Sequence, residues 1–566
     1  MTEFSSTKPI SRWEWLVPGA IAAVLMACCV LISPKKPVWF DEVITWIVAT
    51  DPSLRHMLDS ITTSADLPAT YYLSAQLWRH IFGSGVLALR LLSAVAISGG
   101  VLASWAALRR SFSFAATAFA HVAIFCTSTV LLFQDVELRS YGVFIGVMAL
   151  ALLLYARVAN SSRATAKLLI LTAFCHGALV LCHIFGLAYS AALLLALCIC
   201  DFRSGRLRPR VYAAICAGWV AFVPSIIPLI RLVHVGRTHS WSNSPGLMDL
   251  LPVYAWPDLP ILIAATCLLL TLSLAGISQW PATTRMRVSC GVLALLCVAE
   301  IVLSRLDASW SAITFVVVGG VAVLAWGPPC AGRASARSLL YLSLALIALP
   351  LAFFLAARFI PPMFVPRYFL PTIFAFPILL AAFFDNALAW FGAANRFHRT
   401  AFAVGLISLL IAPLYGAVRL PPNDVPSNGV SASALEQLAP NGLTIVVEDP
   451  FAFLPLYFHS RGVRTYVYLL NRHAAEASRF SSAVINFDLL RRLSSYGYLE
   501  GHVLPQREFL AATSTFLVLH KPGFAWFDLT LANNSGYSWR TLGQVNGSVL
   551  VQVHRTSSTV VPDFPR

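Results

Sequence analysis

The sequence predicts a polytopic α-helical membrane protein that ends in a small extracytoplasmic α/β domain. Of its 566 residues 58% are hydrophobic and only 11% charged, where an ordinary soluble domain carries roughly a quarter. Apolar runs close to the about 20 residues needed to cross a hydrocarbon core recur from residue 15 to residue 418. Beyond residue 418 the chain turns Pro-rich and then alternates short β-patterned stretches with helical ones.

The first run, WLVPGAIAAVLMACCVLIS (15–33), follows Lys8 and Arg12 and leads into PKKP rather than a small-residue cleavage site. It reads as a retained signal-anchor helix. Further spans are expected near 86–108, 112–133, 141–158, 168–182, 184–200, 211–233, 260–279, 288–304, 311–327, 339–358, 369–390 and 401–418, about thirteen in all. The pair flanking LVLCHIFGLAY counts as two helices only if the chain turns at His183. With a cytoplasmic N-terminus, the inside connections carry Arg109 and Arg110, Arg157, Arg163 and Lys167, Arg203 to Arg210, Arg285 and Arg287, Arg333 and Arg337, and Arg396 and Arg399. Every one is basic, as the positive-inside rule requires. The opposite connections (34–85, 134–140, around 183, 234–260, 305–310 and 359–368) hold most of the acids, His and Trp that could do chemistry. The expected domains are therefore a membrane domain over 1–418, with 34–85 as its first outside loop, and an outside domain over 419–566.

In the tail, GLTIVVEDP, VRTYVYLL and STFLVLHKP read as strands and FAFLPLYFHSRG as a helix. WRTLGQVNGSVLVQVHR reads as a hairpin turning at Asn546-Gly547. The alternation suggests an α/β domain. It contains no glycine-rich phosphate loop and no nucleophile elbow, which points to acceptor recognition or a lid rather than chemistry.

Composition also excludes function classes. The net charge is +15, but the basic residues sit in short clusters between apolar runs, the pattern of membrane topology and not of a nucleic-acid face. All twelve cysteines precede residue 331, almost all inside apolar runs and without C-x-x-C spacing, which argues against a disulfide scaffold or zinc site. His176, His183, His234 and His239 lack i,i+4 spacing, so no histidine metal site is expected. No heptads or 20–50-residue repeats occur.

Three outside segments carry the chemistry. In PKKPVWFDEVITW, Asp41 and Glu42 stand side by side after the first span, in a chain with 25 acids against 40 Lys and Arg. Shielded by Trp39 and Phe40 at the lipid–water boundary, a carboxylate there is suited to act as a general base; equally, the two acids could cap an interfacial helix. The following DEVITWIVATD and PSLRHMLDSI look amphipathic, and DLPATYYLSAQLW re-enters the membrane with an aromatic pair. The second segment, FQDVELRSYGVF, sets Asp135, Glu137 and Arg139 within five residues. Ionisable groups at a membrane face are costly and usually functional, against the alternative of a local Glu–Arg pair. The third, PPMFVPRYFLP, sets Arg367 and Tyr368 between prolines, where the Arg could bind phosphate bidentately or snorkel to the interface.

Taken in order, WFDE, LPATYYLSAQLW with LRLLSAVA, ELRSYGVFIGVMALALLLY, CHIFGLAYSAALLL and PRYFLP resemble the GT-C membrane glycosyltransferases, specifically the protein-mannosyltransferase-like group that includes the lipid A aminoarabinose transferases. The resemblance covers residues 34 to about 375. It implies a GT-C fold and inverting transfer of one sugar from a polyprenyl-phosphate donor to a lipid, glycan or protein acceptor of the cell envelope. The reaction would take place at the outer face of a bacterial cytoplasmic (inner) membrane, among membrane lipids. By carry-over Asp41 is the base that deprotonates the acceptor, with Glu42 its weaker neighbour. Glu137 would orient the acceptor or share a divalent cation, Mg or Mn, with Asp41; no other cofactor is implied, and no metal ligand set is defined. Arg139 and Arg367 would stabilise the leaving phosphate, and Tyr368 would pack on it. Tyr71 and His183 fall within matching segments and are acceptor-site candidates. The chain departs from the family at Asp66-Leu67-Pro68, where His-Pro-Pro is common, so no role carries over for the missing His, and Asp66 stands as an additional acid and a third acceptor-site candidate.

Two other functions compete. An oligosaccharide ligase or polymerase using a pyrophosphate-linked glycan would share the fold and most residue roles. A flippase or transporter for lipid-linked sugars would be expected to show two related halves with broken midplane helices, and no such internal symmetry is visible.

Overall fold

The computed structural model describes residues 10–63, 68–239, 334–357, 364–391 and 396–556, short gaps at 162, 428, 441, 461–463 and 481 aside, and a few residues between 245 and 253. The expected spans at 260–279, 288–304 and 311–327, the outside connection at 305–310 and the acid Asp66 lie outside the described residues. The chain is a multi-pass helical protein with a C-terminal α/β region. Among the described residues, seven helices are long and apolar enough to cross a membrane, or eight if one bent pair counts as a span.

The chain divides into two compact units. One holds residues up to Ile32, Ile61–Pro228 and Ser244–Arg419; the other holds Ser33–Ser60, Leu229–Asn243 and Leu420–Arg566. Residues 33–60, read from sequence as the start of the membrane domain's outside loop, thus fall with the C-terminal region.

The helical unit begins with α1 (Leu16–Ile32) and continues through α4 (Ala69–Phe82) and α5 (Val86–Leu108). The expected span at 112–133 is two helices, α6 (Phe114–Phe125) and α7 (Thr129–Asp135), bent by 70°. The break has a local cause. Thr127 Oγ1 donates to the Ala123 carbonyl at 2.5 Å, and Ser128 caps α7 by accepting from the Leu131 amide. Such hydroxyl-to-backbone bonds compete with helix continuation. Helix α8 (Tyr141–Asn160) follows, then α9 (Ala166–Cys182) and α10 (Gly186–Arg203). The chain does turn at His183, whose backbone is extended (φ −163°, ψ 148°), so α9 and α10 are separate. The span expected at 211–233 is present as one apolar stretch over Pro209–Arg231, made of α11 (Pro209–Trp219), a 3₁₀ turn over Val220–Ser225 containing Pro224, and the start of α12 (Ile226–His239). After the undescribed stretch come α13 (Ala334–Ala356), a 3₁₀ segment over Pro366–Phe374, α14 (Ala375–Phe391) and α15 (Arg396–Arg419).

Helices α5 and α8 pack through small residues. A Cβ at Gly142 would lie 2.6 Å from Ser93 Cβ, and one at Gly146 would lie 2.6 Å from the Ala96 carbonyl oxygen. Because lipid tails are as apolar as the helices, close backbone approach replaces the hydrophobic effect as the source of attraction. Gly146→Leu is therefore expected to lower the yield of folded protein severalfold and reduce its melting temperature in detergent, as thermal unfolding would show.

In the second unit, α2 (Phe40–Thr50) and the greater part of α3 (Leu54–Thr63), up to Ser60, follow the first span. Phe40 packs its ring on Phe451 at 4.5 Å, Trp46 meets Phe458 edge-on at 5.2 Å, and His459 Nε2 lies 3.2 Å from the Val38 carbonyl. These contacts tie residues 33–60 to the C-terminal region. That region is a six-stranded sheet in the order β3-β2-β1-β4-β6-β5, built from β1 (Ile445–Val447), β2 (Tyr466–Leu470), β3 (Val503–Pro505), β4 (Thr515–His520), β5 (Tyr537–Val545) and β6 (Ser548–Arg555). The first four strands pair in parallel, and β6 and β5 run antiparallel at one edge. Crossover helices α17 (Pro450–Ser460), α19 (Ser482–Ser495) and α20 (Gln506–Ala512) follow β1, β2 and β3, and α18 (Arg472–Ala477) follows β2 directly; α16 (Ala432–Leu438) precedes the sheet. The β5–β6 hairpin turns where expected, with Asn546 at φ 48° and Gly547 at φ 77°, the two positive φ values a type I′ turn needs.

At the carboxyl ends of β1 and β4 lies a charged network. The buried Glu448 accepts from the Phe527 amide at 2.6 Å and pairs with His520 Nδ1 at 2.6 Å. Burial alone would pull His520 down, but the bond to Glu448 and its charge carry it above the usual histidine range. A base held above its unfolded value contributes its full stability below that value and loses it as pH rises through the folded one. The unit is accordingly expected to lose stability from about pH 6.5 upward. Melting temperatures at pH 6 and pH 8.5 should differ by a few degrees, and Glu448→Gln should flatten the difference.

Candidate functional site

The helical unit gathers two of the three sequence-predicted segments with the His183 turn. Glu137, Leu138 and Arg139 connect α7 to α8, and Ser93 Oγ on α5 fixes them by donating to the Glu137 carbonyl at 2.7 Å and reaching the Arg139 carbonyl at 3.4 Å. Glu137 is buried and Arg139 half-buried. The Arg139 guanidinium lies over the Tyr141 ring, 5.8 Å from its centre, a cation–π arrangement that orients the planar donor fork.

The Tyr141 ring belongs to an aromatic cluster at the start of α8. Its centre lies 5.9 Å from His183 and 6.5 Å from Tyr368. His183 in turn stacks on Phe144 at 5.3 Å and lies 4.7 Å from Tyr368. The His183 ring is held by its own turn, because Nδ1 accepts from the Phe185 amide at 3.1 Å. Tyr368 sits in the Pro366–Phe374 3₁₀ segment, where Val365 accepts its amide at 2.9 Å. Arg367 precedes it, half-buried. Below the cluster, the Tyr189 hydroxyl and Thr372 Oγ1 are 2.8 Å apart, joining α10 to the same 3₁₀ segment. Arg139, His183 and Tyr368, called from separate stretches of sequence, are therefore neighbours around Tyr141.

Sequence reading did not single out Tyr141, Phe144, Tyr189 or Thr372. The signal for Tyr141 was present in ELRSY, where Arg139 and Tyr141 sit two apart. Asp135, noted in the same motif, is fully buried at the end of α7 with neither carboxylate oxygen hydrogen-bonded among the described residues. Tyr71 is buried on α4, with its ring 5.4 Å from Tyr72.

Asp41 and Glu42 belong to the other unit. Both lie in the first turn of α2, whose N-cap is Trp39, so they favour the helix through its dipole rather than by capping it. Asp41 is half-buried; Glu42 is fully buried. Thr45 Oγ1 donates to the Asp41 carbonyl at 2.7 Å, fixing this turn of the backbone.

Among the described residues no three His, Cys, Asp or Glu side chains stand together as metal ligands.

No family model matches the chain, and no curated protein matches it. Solved structures do. The crystal structure of ArnT from Cupriavidus metallidurans bound to undecaprenyl phosphate is 15% identical with a TM-score of 0.44, over 96% of this chain and 98% of that one. ArnT in the apo state is 16% identical with a TM-score of 0.42, over the same shares. The cryo-EM structure of the arabinofuranosyltransferase AftD from Mycobacteria is 14% identical with a TM-score of 0.44, over 98% of this chain and 40% of AftD. Structural neighbours of this chain include ArnT and AftD.

Proposed function

We propose that the protein is a GT-C-type inverting glycosyltransferase that moves one sugar from a polyprenyl-phosphate donor to a cell-envelope acceptor. The reaction would take place at the outer face of the bacterial cytoplasmic membrane, with the N-terminus inside and residues 419–566 outside. The observation that carries the reading is the cluster in which a guanidinium stands over Tyr141 beside His183 and Tyr368. A half-buried guanidinium lying over one ring of a buried aromatic cluster suits an anionic lipid headgroup, since the rings tolerate lipid and the guanidinium pairs with phosphate. The alternating basic and chemistry-bearing connections support the orientation.

In this reading the acceptor hydroxyl attacks the anomeric carbon from the face opposite the phosphate. A carboxylate takes its proton as the new C–O bond forms and the C1–O(phosphate) bond breaks. Asp41 is the better base of the adjacent pair, because a base must reach an incoming hydroxyl and Glu42 has no exposed surface. Arg139 and Arg367 meet the charge that grows on the departing phosphate. Glu137 orients the acceptor.

The test is transfer by purified protein from a polyprenyl-phosphate sugar, set against the same sugar on a pyrophosphate lipid. Covalent transfer from the monophosphate supports the reading. Transfer from the pyrophosphate lipid alone would make the protein a ligase, and lipid translocation without transfer would make it a flippase.

A further inference from the structure

The C-terminal unit carries a second feature that the helical site does not use. Its parallel strands have the order β3-β2-β1-β4, so the β1–β2 connection runs to one side of β1 and the β3–β4 crossover returns to its other side. In open α/β sheets ligands settle outside the carboxyl ends of the strands at such a switch point. Here those ends carry Glu448 and Asp449 after β1, and His520 and Lys521 at and after β4. A cavity of 440 Å³ opens beside them, lined by Asp449, Phe451, Phe480, Lys521 and Asn546 among others. That volume lies within the roughly 300–1,000 Å³ of small-molecule sites.

Three details narrow the occupant. First, the cavity is aromatic on one part of its wall. Phe480 is 39% exposed, yet it is fixed: its ring lies 4.9 Å from Phe524, and Gly523, at φ +105°, leaves room where a Cβ would come within 2.8 Å of it. An exposed ring held in one orientation offers a flat apolar face with a negative quadrupole, against which the C–H edge of a ligand ring can lie. Second, the cation is already neutralised. Lys521 Nζ is 2.5 Å from Asp449 Oδ2, so an anion would find no uncompensated positive charge. An ammonium has three donors, and two remain for hydroxyl groups. Third, further polar groups line the rim. Asn546 spends its Oδ1 on the Ser431 amide and keeps its NH₂ group unspent among the described residues, and Ser482 opens α19.

We propose that this crevice is a saccharide-binding site for a neutral, hydroxyl-rich hexose ring of a glycan. Such a ring combines an apolar C–H face with a rim of hydroxyls, matching the exposed part of the Phe480 ring and, beside it, Lys521, whose Nζ lies 5.8 Å from that ring's centre, with Asn546 on the rim. The wall residue Phe451 packs on Phe40, the residue before Asp41, so the crevice and the proposed base share one packed unit. Use of the crevice to hold the acceptor rests on the transferase reading; its capacity to bind sugar does not.

The experiment is equilibrium binding to the full chain in lauryldimethylamine oxide, a detergent without sugar headgroups. The probes are mono- to tetrasaccharides of glucose, galactose, mannose and N-acetylglucosamine, with inorganic phosphate as competitor. Saturable binding of at least one oligosaccharide is expected. Phe480→Leu, which keeps apolar bulk but removes the ring, should weaken it about tenfold, a change of roughly 1.4 kcal/mol. Ser482→Trp should fill the cavity and abolish binding. Both variants should melt like the parent, and phosphate should not compete. Absence of binding by every probe, unchanged affinity in the two variants, or displacement by phosphate would overturn the proposal. Sugar binding without any transfer activity would leave the crevice standing and remove the transferase reading instead.

Discussion

Asp41→Asn is expected to reduce the turnover of sugar transfer by about 10²–10⁴-fold, the contribution of a positioned general base, while leaving donor affinity nearly unchanged. Asn matches Asp in shape, and the bond from Thr45 Oγ1 ends on the main-chain carbonyl of residue 41, so α2 keeps its first turn. What disappears is the basic oxygen. Glu42→Gln makes the comparison sharp. Glu42 is fully buried, and its substitution should register in thermal stability more than in turnover. Measuring turnover and melting temperature for both variants separates the roles. A normal rate in Asp41→Asn with a dead Glu42→Gln would exchange them, and normal rates in both would remove this acidic pair from the chemistry.

Much of the fold was legible because its signals are local. The Asn546-Gly547 turn follows from two adjacent residues that accept positive φ. The break at His183 left a trace as a polar residue between two apolar runs. The bend at 126–128 left none: Cys, Thr and Ser are all tolerated in a membrane helix, and only hydroxyl bonds to Ala123 and Leu131 reveal that the helix stops. The grouping of residues 33–60 with the C-terminal region was hidden for a different reason. It depends on Phe40 meeting Phe451 and Trp46 meeting Phe458, ring contacts across some four hundred residues that no local pattern encodes. The same holds for the site. Arg139, His183 and Tyr368 could be chosen singly as unusual residues at membrane faces, but Phe144 and Tyr189 sit inside apolar runs and look like any lipid-facing aromatic. The crevice escaped notice because its charges are split between strand ends 72 residues apart, neither of which forms a known loop motif.

Arg139→Lys is expected to lower turnover by about 10²–10³-fold, the usual loss when a donor to a developing anion is removed. The lysine keeps the charge but loses the planar fork that can meet two phosphate oxygens at once. The ring beneath contributes less. A cation–π contact at this kind of site is worth roughly 0.5–2 kcal/mol, against the roughly 2.7–4 kcal/mol of an anion-stabilising donor. Tyr141→Leu, which removes the ring 5.8 Å from the guanidinium, should therefore cost less than Arg139→Lys. A purely structural arginine would give the reverse order, with both losses following the melting temperature. The decisive variant is Arg139→Gly assayed with added guanidinium ion. If Arg139 meets the phosphate as it departs, free guanidinium should restore part of the turnover in a saturable way without raising the melting temperature. If Arg139 only braces the α7–α8 connection, the backbone that Ser93 holds through the Glu137 and Arg139 carbonyls would be the part that fails, and no small cation would repair it.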